Sequence, residues 1–94
     1  MHDNIVSLFG DKLAELIQKS PMASKGLIRF AIREYRKTNN VDYDVPLGMD
    51  EFDEIVSVQL HDLLKRANIG EADHIIESML SEITYQQAIF TMTS

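Results

Sequence analysis

Apolar residues recur at helical spacing through most of the chain, and breaks in that pattern divide it into four segments. In the first, roughly Asn4 to Lys19, Ile5, Phe9, Leu13 and Leu16 fall three or four apart, and Val6 and Ile17 widen the stripe. Asp3 stands where a capping carboxylate would meet the positive end of the helix dipole. Gly10 inside this segment costs about 0.5–1 kcal/mol relative to alanine, so it marks either a close helix contact or a bend. Ser20-Pro21 is the clearest boundary. Pro21 cannot continue the first helix but suits the first position of a second, and Ser20 is a favourable N-cap for it. The second helix is expected from Pro21 to about Lys37, burying Leu27, Ile28, Ala31, Ile32 and Tyr35 with Phe30 at the edge.

Asn39-Asn40 ends that helix, and Pro46 and Gly48 prevent regular structure from spanning the next stretch. Residues 38–49 read as an irregular crossover, pinned to the core by Tyr43 and Leu47. Asp50 is the expected cap of a third helix reaching about Ala67, with Phe52, Ile55, Val56, Leu60, Leu63 and Leu64 inward and Val58 outward. Asn68-Ile69-Gly70 is short enough to fold a fourth helix back on the third. That helix begins near Glu71, burying Ala72, Ile75, Ile76, Met79, Leu80 and Ile83, and either turns at Thr84 or runs on to Phe90. The pattern predicts one all-α domain over residues 1–94: a compact bundle of about four amphipathic helices, with a longer crossover between helices 2 and 3.

Composition narrows this picture mainly by exclusion. Hydrophobic residues at 45% and charged residues at 26% are ordinary globular values, which argues against disorder. The absence of cysteine removes disulfides, thiolate catalysis and the usual structural zinc sites. No basic segment leads into an apolar stretch at the start, and no apolar run approaches the roughly 20 residues of a membrane span. A cytoplasmic protein is the simplest expectation.

Charge changes the picture more. Between Lys19 and Lys37 there are six basic residues and one acid, Glu34; from Thr38 to Ser94 there are two basic residues and eleven acids. Lys25, Arg29 and Arg33 stand four apart, followed by Arg36 and Lys37, and helical geometry gathers them into one stripe roughly opposite Ile28, Ala31 and Tyr35. Such a stripe grips nucleic acid or another polyphosphate, docks an acidic protein surface, or is simply a solvated face neutralised by the chain's own acids. The absence of interleaved aromatics and the net charge of −6 disfavour nucleic acid. The last segment raises a different question, because Ala88, Ile89, Phe90 and Met92 are apolar on several sides. Tyr85, Ile89, Phe90 and Met92 either complete the core or form an interface with a second copy or an apolar partner.

Catalytic chemistry finds no footing. Asp42-x-Asp44 resembles the opening of a calcium loop, but Pro46 and Leu47 occupy positions that require a ligand and a glycine. Asp50, Glu51, Asp53 and Glu54 suit the first turn of a helix. His61-Asp62 and Asp73-His74 are too few to build a metal-dependent hydrolase, and no nucleophile elbow or phosphate loop is present. The sequence therefore points to a non-enzymatic protein-interaction module without a cofactor. The alternative is an anion-binding regulatory domain acting through Lys25, Arg29, Arg33, Arg36 and Lys37.

Overall fold

The computed structural model describes the backbone of residues 3–93 and the side chains of residues 6–89 and Met92. Among the described residues the chain forms four helices and no strand: α1 Asp3–Ile17, α2 Pro21–Asn39, α3 over residues 49–66, and α4 Ala72–Thr93. The all-α bundle with its longer connection between helices 2 and 3 is as the periodicity predicts. No described helix is long and apolar enough to cross a membrane.

The boundaries follow from local chemistry. Ser20 is extended and its Oγ accepts from the Ala23 N–H at 3.1 Å, with Pro21 opening α2. The start of α3 differs from expectation. Its N-cap is Gly48, whose N–H donates to the Glu51 carboxylate at 3.1 Å, so Asp50 lies inside the first turn and is not the cap. The first three helices stop alike. Gln18, Asn40 and Asn68 are left-handed, with φ of 56°, 55° and 57°. The N–H after each reaches back five residues: Lys19 to Ala14, Val41 to Arg36 and Ile69 to Leu64. Val41 and Ile69 then pack against the core, so each of those two caps turns the chain and anchors it.

The core draws on every element. Val6, Phe9 and Leu13 come from α1, Ile28, Ala31 and Tyr35 from α2, Leu47 from the crossover, and Ala72, Ile75, Ile76, Met79 and Ile83 from α4. Phe9 and Phe52 meet at 4.9 Å between ring centroids, tilted by 48°, which ties α1 to α3. Gly10 proves to be a close contact: a Cβ there would stand 2.4 Å from Lys25 Cγ, so its absence lets α2 lie against α1. In the crossover Leu47 is buried, but Tyr43 is 77% exposed and pins nothing. Leu80, expected in the core, is half-buried against it, as are Leu27, Ile32 and Leu63.

The third helix holds the main departure from regular geometry. Its middle, Ile55–Leu60, is a π-helix between the α-helical Met49–Glu54 and His61–Arg66. The sequence explains why. Phe52, Val56, Leu60 and Leu64 are all buried and lie four apart, and in an α-helix each four-residue step drifts by about 40°. Phe52 and Leu64 would end about 120° apart, on different faces. The wide turn accommodates one extra residue and takes back about 100°, which returns Leu60 and Leu64 to the face of Phe52, Ile55 and Val56.

Candidate interaction surfaces

The outward side of α2 is set by what its inward side must bury. With Ser24, Ile28, Ala31 and Tyr35 facing the core, the opposite arc carries Met22, Gly26, Arg29, Arg33 and Lys37. The five expected basic residues do not share one environment. Lys25 is half-buried against Gly10 and stands 3.9 Å from Asp11 of α1. Arg36 is buried, and its Nη1 donates to the Asp42 carbonyl, holding the start of the crossover against the end of α2. It belongs to the fold and not to the solvated stripe. Arg36 lies on the flank of α2, about 110° from its core-facing residues, and it is the start of the crossover that folds over it there.

Arg29, Arg33 and Lys37 remain, all exposed. Among the described residues none of the three has a carboxylate within 4.0 Å. Glu34, the single acid of α2, lies on the flank of the row and shares a groove with Arg33 and Lys37 without closing an ion pair to either. The row also has aromatic neighbours that the sequence did not place there. Phe30 is 40% exposed beside it, and Tyr43 comes over from the crossover to share an open groove of roughly 490 Å³ with Arg33, Arg36 and Lys37. The crossover could reveal Tyr43 only once its path was fixed by Arg36 and by the left-handed Asn40.

The second surface is on α4. Tyr85 is 59%, Ile89 37% and Met92 84% exposed, at the i, i+4, i+7 spacing of a single helical stripe. That stripe lies about 130° around the helix from the core-facing Ala72, Ile75, Ile76, Met79 and Ile83. Of the two expectations for these residues, Tyr85, Ile89 and Met92 do not complete the core. The side chain of Phe90 lies outside the described residues.

Other candidate chemistry has structural work. His61 Nε2 meets Asp73 Oδ1 at 2.6 Å, joining α3 to α4, while Asp62 pairs with Arg66 one turn along α3 at 2.7 Å. His61-Asp62 is thus split between two separate contacts. No group of three or more histidines and carboxylates among the described residues could hold a metal ion. Burial, and secondarily the Glu54 and Glu51 carboxylates of α3, push the Tyr35 phenol above its ordinary 10.0. Tyr35 belongs to the packed core between the helices.

No family model, curated protein or solved structure matches the chain.

Proposed function

We propose that this chain is a non-enzymatic protein-interaction module, an adaptor, regulator or small subunit of a larger assembly, and that the outward face of α2 receives an acidic protein surface. The observation that carries the reading is the row Arg29, Arg33 and Lys37, which makes no ion pair among the described residues of a molecule with fifteen acids. The row contributes nothing to packing, and α2 already has its cap and its buried face. Three aligned cations steer and orient an anionic partner more than any one of them alone. Affinity capture from a native extract tests this. Wild-type chain should retain a protein that survives nuclease treatment and is lost with the Arg29→Glu, Arg33→Glu variant. A captured set that ignores the charge reversal would overturn the reading.

A second reading, an anion-binding domain for nucleic acid or another polyphosphate, draws support from Tyr43 and Phe30 beside the cations, since exposed rings offer stacking platforms. Direct titration with single-stranded RNA separates the two. Affinity that falls by orders of magnitude between low and moderate salt favours this second reading; no RNA binding at low salt eliminates its nucleic-acid form.

A further inference from the structure

The outer stripe of α4 raises a separate question, independent of α2: what does an apolar row do on the side of a helix that faces away from its own core? Among the residues of α4 whose side chains are described, Ile83 is the last that is buried, and Tyr85, Ala88, Ile89 and Met92 beyond it are exposed. Tyr85, Ile89 and Met92 alternate by four and three residues, the spacing that forms a seam between two helices.

Charge selects the occupant. From Ile83 to Ser94 the chain has no charged residue, although charged residues make up 26% of the whole. Two molecules of net charge −6 repel over most of their surfaces but can approach here without placing like charges together. An acidic or basic partner finds nothing complementary on the same stripe. We propose that Tyr85, Ile89 and Met92 form the seam of an antiparallel contact with the same stripe of a second copy of this chain.

Two arguments fix the direction. The first half of α4 is embedded in the body through Ala72, Ile75, Ile76, Met79 and Ile83. Parallel pairing would force two acidic bodies side by side, whereas antiparallel pairing leaves them at opposite ends of the seam. An isologous axis close to Ile89 also sets Tyr85 opposite Met92 of the second copy, and a thioether against an aromatic ring is a favourable contact. Two helical turns still bury less than the roughly 800 Å² per partner of a standard stable interface, so the dimer is weak and dissociates on dilution.

The cysteine-free chain allows a test of both contact and direction. Sedimentation equilibrium of the wild type should give a mass that rises from monomer to dimer with concentration. Ile89→Glu should remain monomeric with unchanged helical circular dichroism. On mild oxidation, Ile89→Cys should cross-link to itself. Tyr85→Cys should link to Met92→Cys when the two are mixed, and neither should link alone. A wild type that stays monomeric up to millimolar concentration overturns the proposal, as does an Ile89→Glu variant that still dimerises. Self-linking of Tyr85→Cys overturns the antiparallel arrangement.

Discussion

Tyr35 shows how one buried side chain acquires a pH dependence from its neighbours. Its phenol lies between α2 and the first turns of α3, where burial and then the charges of Glu54 and Glu51 all oppose ionisation. A pKa raised in the folded state means that the stabilisation is fully present below the unfolded value of 10.0 and is lost as pH rises through the folded value. The wild type should therefore lose melting temperature above pH 10, and Tyr35→Phe should lack that part of the loss. Thermal melts of both proteins across the alkaline range check this, and parallel profiles would show that Tyr35 does not carry the effect.

At the scale of the element, the π segment of α3 makes a distinctive prediction. Deleting a residue from a regular helix turns everything beyond it by about 100°. Deleting Val58, which is 53% exposed and lies within the wide turn, instead removes the extra residue and leaves Leu60 and Leu64 on the face of Phe52. The Val58 deletion should fold cooperatively, with a melting temperature within about 8 °C of wild type, equivalent to roughly 1 kcal/mol. Deleting Arg33, also exposed, from α2 should abolish cooperative melting, because α2 has no extra residue to lose and Tyr35 would leave the core. The four-residue repeat Phe52, Val56, Leu60, Leu64 was in the sequence from the start. It was legible as amphipathic helix but not as a π turn, since drift over twelve residues matters only when one neighbour demands a single face.

For the whole molecule, the division between fold and surface can be tested through charge. Because Arg29 and Arg33 make no ion pair among the described residues, reversing both should leave the fold intact, with stability changed by no more than about 1 kcal/mol. Chemical denaturation of Arg29→Glu, Arg33→Glu measures it, and a larger loss would mean that the row serves the bundle and is not a free surface. Lys25 and Arg36 lie outside this prediction, since one packs at the α1–α2 crossing and the other holds the crossover. The sequence presented these five cations as equals because spacing reports angle around a helix and nothing about which neighbours approach it.

What the sequence determined by itself is what depends on residues close along the chain: four helices, the Ser20-Pro21 start, the break at Asn39-Asn40, and the face that each helix turns inward. Hydrogen bonding and apolar periodicity act over a few residues, so those features were written locally. The tertiary structure alone decided that Gly10 is a crossing point, that Arg36 is buried, that Tyr43 stands beside the cations, and that α3 widens in its middle. Each of these depends on a neighbour far away in sequence, and so does the outward stripe of α4. A row of apolar residues is core or surface according to what lies opposite, and among the described residues nothing lies opposite Tyr85 and Met92 that buries them.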